Sequence, residues 1–255
     1  MIDKLGLEQK ILCVEGEETS RDYALFRLLC AGIPIDIKPS GGAQNLKNVA
    51  IAPNICSCRD RDYDLLTYDY NLESFFNNDL FWRVSDDKKT NHYRLKWTEI
   101  ENVILLVMNE IEDFELEKKV LQSLDKLIYA TALRISKTTK HAPVLTQLRK
   151  EKPYKLSCDK GIESLLKDAP SICFTEEIEH WRSELISTID NDFDKAMILL
   201  DGNAIWTWLE TCAKCKLKSM YQERIASKIT EGLPSDKSNL YDNLRIKVQE
   251  LFNAV

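Results

Sequence analysis

The chain has 255 residues, 44% of them hydrophobic and 30% charged, with a net charge of −6. That is the make-up of a globular protein with one large domain or two small ones. No apolar stretch approaches the roughly 18 residues of a membrane span. Asp3, Lys4, Glu8, Gln9 and Lys10 interrupt any signal-peptide core, so the eight cysteines are expected as reduced thiols in the cytoplasm.

The first predicted element is a buried strand, Ile11 to Val14, closed abruptly by Glu15-Gly16. Ser20 then precedes a helical pattern through Tyr23, Leu25, Phe26, Leu28 and Leu29, which stops at Gly32 and Pro34. A hydroxyl N-cap at the start, and glycine and proline past the end, both fit a helix. A second strand, Ile33 to Lys38, runs into Ser40-Gly41-Gly42, and a brief helix is expected from Ala43 to Val49. A third strand, Ile55 to Cys58, delivers Arg59-Asp60-Arg61-Asp62. Cys56 and Cys58 alternate on one face of it and read as small core hydrophobes.

From Asp64 to Asn91 the pattern blurs. Tyr68, Tyr70, Phe75, Phe76, Phe81 and Trp82 lie among Asn and Asp, an irregular excursion whose aromatics are expected to pack on the sheet, with base stacking by one or two of them as the alternative. A fourth strand is expected from His92 to Trp97. Thr98 and Glu101 are three apart, as in a capping box, ahead of an apolar run. Glu101 therefore has two possible tasks, capping that helix or joining a cleft as a carboxylate. Phe114 to Ile135 reads as one long amphipathic helix.

Residues 99–117 hold seven acids and no Lys or Arg, whereas residues 131–160 hold eight Lys or Arg against Glu151 and Asp159. The second block is the candidate nucleic-acid track: Arg134, Lys137, Lys140, His141, Arg149, Lys150, Lys152 and Lys155. Basic side chains of this kind neutralise phosphates and release counterions. Further on, Ile172-Cys173-Phe174 is a candidate short strand, with Thr175 capping a helix to Ile189. The apolar run Ala196 to Leu200 leads into Asp201-Gly202-Asn203 and a helix through Trp206 and Trp208. The final helices, Tyr221 to Ile229 and Leu240 to Phe252, are amphipathic and read as structural or partner-binding rather than chemical. Cys212 and Cys215 have no second pair, so zinc is not expected. His92, His141 and His180 show no metal spacing and no nucleophile partner. No phosphate-binding G-x-x-x-x-G-K-[ST] loop is present.

Three strands thus end in a glutamate, a glycine turn and an Asp-x-Asp pair. In an open parallel α/β sheet the carboxyl ends of the strands share one edge, where ligands bind. Glu15, Asp60 and Asp62 would converge there, and their mutual repulsion calls for a hard cation. Mg²⁺ or Mn²⁺ suits carboxylate oxygens and bridges to phosphates, which points to metal-assisted work on a phosphodiester.

The order Val14-Glu15-Gly16, helix, Gly41-Gly42, Asp60-Arg61-Asp62 resembles the TOPRIM domain of topoisomerases, primases and OLD-type nucleases. The segment Tyr93 to Asn102 is similar to one OLD-like branch, the small AriB-type nuclease subunits of PARIS anti-phage systems. The resemblance implies an α/β fold with a TOPRIM-type, mostly parallel sheet flanked by helices, a helical insertion and a helical C-terminal part. The corresponding domain boundaries are 1–110 for the core, 111–170 for the basic insertion and 171–255 for the remainder. It implies a metal held by Glu15, Asp60, Asp62 and Glu101, with the first three catalytic. It further implies a toxic nuclease acting on RNA such as tRNA, held silent by an ABC-type ATPase and able to form a homodimer when released. Relatives often carry a lysine after the glycine where this chain has Asn203, so a non-catalytic assembly subunit is the competing expectation.

Overall fold

The computed structural model describes residues 9–46, 48–49, 52, 54–61, 63, 66, 71–76, 79–83, 91–112, 114–139, 172–217 and 239–252. Two compact units divide the chain. One comprises Met1–Asp60, Asn78–Lys96 and Arg224–Val255; the other comprises Arg61–Asn77 and Trp97–Glu223.

The first unit is built on β1 (Lys10–Val14), α1 (Arg21–Leu29), β2 (Ile35–Pro39), α2 (Ala43–Leu46), β3 (Ile55–Arg59), β4 (Phe81–Arg83) and β5 (His92–Leu95). The sheet order is β2-β1-β3-β5-β4. The first four strands in that order run parallel, and β4 pairs antiparallel with β5 at the edge. This is an α/β fold with a mostly parallel sheet. The short edge strand β4 lies inside the stretch expected to be irregular. Its three residues are too few for an alternating pattern to register.

Leu12 pairs with Ile37 and Cys56, and Val14 with Cys58, which in turn pairs with Tyr93. Partners in register share a face, so these side chains make one apolar surface, on which Leu12, Val14, Cys56 and Cys58 are all but fully buried. Helix α1 packs there because Leu25, Phe26 and Leu29 recur at helical spacing and are buried. Ser20 caps it as expected, its hydroxyl accepting from Tyr23 N at 3.2 Å. A C-terminal helix returns to the same unit (Asn239–Glu250). Past its end, the Leu251 carbonyl accepts from Cys56 Sγ and from the Tyr93 hydroxyl. Arg245 donates to the carbonyls of Leu29 and Ala31, satisfying the open end of α1.

The other sheet face is mixed. Asp36, Lys38, Ser57, Arg59, His92 and Arg94 occupy the alternate positions. A strand buried on both faces usually reads as a continuous apolar run, so this asymmetry explains the interrupted hydrophobicity of β2 and β5. Ser57 Oγ shares a hydrogen bond with His92 Nδ1 on this face. His92 therefore has a hydroxyl partner that its sequence context does not suggest. At 3% exposure Ser57 is enclosed.

The second unit is helical among its described residues: α3 (Ile100–Glu112), α4 (Leu116–Gln122), α5 (Leu124–Thr139), α6 (Ile172–Ile189), α7 (Phe193–Leu199) and α8 (Gly202–Thr211). With these labels fixed, the C-terminal helix of the first unit is α9. The single helix expected from Phe114 to Ile135 is broken at Ser123, which closes α4 and whose carbonyl starts α5. Glu115 adopts a left-handed conformation at the entrance to α4. Ile172-Cys173-Phe174 is the first turn of α6 rather than a strand, and Ala196 to Leu199 belongs to α7. A short apolar run does not by itself distinguish a strand from a helix. Asp192 and Asp201 cap α7 and α8 through Lys195 N and Ala204 N.

The expected capping box at the head of α3 does not form. The helix begins at Ile100, which puts Thr98 one residue too early, and the Thr98 hydroxyl donates to the Leu200 carbonyl at 3.0 Å. The second half of Asn102 completes that junction: its amide donates to the carbonyls of Met197 and Leu200 at 2.7 and 3.0 Å. The close approach requires glycine at 202, where an added Cβ would stand 2.0 Å from Asn102 Oδ1.

Candidate functional site

In the first unit, β1 lies between β2 and β3. Its own connection runs through α1 to β2, away from β3. Adjacent strands whose connections leave in opposite directions open a crevice at their carboxyl ends, the usual binding place in open α/β sheets. Val14 and Cys58 are register partners at the ends of β1 and β3. Glu15 and Asp60 follow these two positions by one and two residues, so they flank the crevice, and both are half-buried.

A third carboxylate joins them. Asp22 stands in the first turn of α1, and its Oδ2 is 3.2 Å from where a Cβ on Gly16 would sit. Gly16 has φ +94°, and the same Cβ would strike Ser20 Oγ at 2.4 Å. The turn after β1 therefore admits glycine alone, and this folds the head of α1 back toward Glu15. All three acids bear on the Cys58 thiol beneath them. Burial first, then Asp60, Asp22, Cys56 and Glu15, push that thiol well above its ordinary pKa. It stays protonated and offers no soft thiolate at the crevice.

The glycine turn after β2 is tied to the same edge. Ser40 N donates to the Val14 carbonyl at 2.9 Å and Gly41 N to the Gly16 carbonyl at 2.7 Å. Glu17, Glu18, Thr19, Pro39, Ser40 and Gly41 line a shallow open groove of about 420 Å³ beside it.

Asp62 is outside the described residues, as are Lys140, His141, Arg149, Lys150, Lys152 and Lys155. Glu101 is in the first turn of α3 in the second unit, 8% exposed. Lys137 is on α5. Among the described residues no set of three or more His, Cys, Asp or Glu is arranged to hold a metal ion.

Arg134 is committed inside the second unit. It forms ion pairs with Glu99 Oε1 and, at 3.2 Å, with Asp201 Oδ2; the two acidic side chains are 4% and 1% exposed. The face of Tyr63 lies 5.8 Å from its guanidinium carbon. Burial, then Asp201, push the Tyr63 hydroxyl well above the ordinary tyrosine range, against the pull of Arg134. Asn203 donates from its backbone to Glu99 Oε2 at 3.3 Å and from its side-chain amide to the same oxygen. Arg61, the central residue of Asp60-Arg61-Asp62, is 1% exposed and donates to the Phe75 and Ser74 carbonyls. Sequence reasoning overlooked Asp22, Glu99 and Arg61. For Asp22 the signal was an acid in a capped first helical turn directly after the glutamate strand.

The cysteines divide. Cys13, Cys30, Cys56, Cys58 and Cys215 are free, whereas Cys212 is disulfide-bonded. Reduced thiols were expected throughout, and Cys212 departs from that. No helix among the described residues is long and apolar enough to cross a membrane. No protein-family model, curated protein or solved structure matches this chain.

Proposed function

We propose that the chain is a Mg²⁺- or Mn²⁺-dependent TOPRIM-type nuclease, with the carboxyl edge of β1 and β3 as its catalytic centre. The observation that carries this reading is the adjacency of β1 and β3, whose carboxyl ends lead into Glu15 and Asp60. The donor chemistry fits the metal: carboxylate oxygens are hard ligands, and the one nearby sulfur is held as a thiol. Glu15 and Asp60 would hold the ion, with Asp62 completing the Asp-x-Asp pair and Glu101 as a further ligand. When bound, a divalent ion supplies an acidified water and charge stabilisation on the phosphate. Glu15 has the added task of moving a proton during phosphodiester cleavage. Asp22, beside the same turn, adds negative charge that favours cation uptake.

The resemblance extends this proposal to RNA, tRNA in particular, as substrate and to a cytoplasmic toxic effector of a PARIS-type anti-phage system. In that setting an ABC-type ATPase holds the subunit silent, and release permits a homodimer. A second reading, a non-catalytic assembly subunit of such an ATPase complex, has one observation in its favour. Position 203 carries an uncharged amide engaged by Glu99 instead of a lysine.

Cleavage of DNA and RNA in Mg²⁺ or Mn²⁺, comparing the wild type with Glu15→Ala, separates the two. Expected is cleavage by the wild type that chelation abolishes, and a loss of at least about 100-fold in the variant, on the scale of losing one key charge-stabilising group. Equal inactivity of both proteins, with retained binding to the ATPase, would establish the assembly role instead.

A further inference from the structure

We draw no further inference here: the strongest candidate, the buried cluster of Glu99, Arg134, Asp201 and Asn203 at the N-terminus of α8, pairs its charges with one another, and no second feature beside it points to a ligand.

Discussion

Replacing Arg134 by methionine tests whether this side chain serves the fold or a nucleic-acid surface. Methionine keeps most of the length of the apolar stem and removes the guanidinium. Two carboxylates, Glu99 at 4% and Asp201 at 1% exposure, would then lose the guanidinium that bridges them. Removing one partner of a buried ion pair costs about 3–5 kcal/mol. Because Arg134 itself is 27% exposed, water can reach part of the vacated space, and the lower end, about 3 kcal/mol, is expected. For a unit of this size that corresponds to a fall in Tm of roughly 6–12 °C. Trp206 and Trp208, both buried in α8, lie in the same unit and report its unfolding by fluorescence in urea. Combining the substitution with Glu99→Gln removes one of the stranded charges and should recover about half of the loss. Arg134→Lys should fall in between, since an ammonium cannot bridge both carboxylates as a planar fork does. A methionine variant as stable as the wild type, but weakened in nucleic-acid binding, would refute the assignment and restore Arg134 to the basic track.

Three further outcomes are expected. Burial lifts the Cys30 thiol to about 12, against the opposing charge of Arg245. Above pH 9 the unfolded chain ionises this thiol while the folded chain retains the proton, so stability falls as pH rises from 9 toward 12, by at most about 1.4 kcal/mol per pH unit. Cys30→Ala should flatten that part of a urea-midpoint profile, and an unchanged slope would contradict the burial argument. Gly202→Ala places a methyl group 2.0 Å from Asn102 Oδ1 and 3.0 Å from its backbone nitrogen; overpacking of about 1–3 kcal/mol should follow, read as a lower melting temperature. Arg245→Ala removes two charged hydrogen bonds to the end of α1. About 1 kcal/mol is expected at this partly exposed place, with faster amide exchange confined to the last turn of α1 and to α9.

The features legible in the sequence are those set by neighbours along the chain. Ser20, three residues before Tyr23, announces a cap because the hydroxyl reaches only that far. Leu12 and Val14 alternate with half-buried residues because β1 buries one face more deeply than the other. The break at Ser123 was hidden for the opposite reason: α5 resumes the apolar phase of α4, so periodicity continues across a backbone that does not. Ion pairs are less legible still. Arg134 read as a member of a basic run because its sequence neighbours are basic, yet its partners lie 35 residues upstream and 67 downstream. The order β2-β1-β3 is of the same kind, since three strands ending in turns say nothing about which two are adjacent. That adjacency is what turns Glu15 and Asp60 from two separate surface acids into a pair flanking one crevice. Asp22 follows from it, because only a helix that starts at the turn of Gly16 can return a carboxylate to the end of the strand before it.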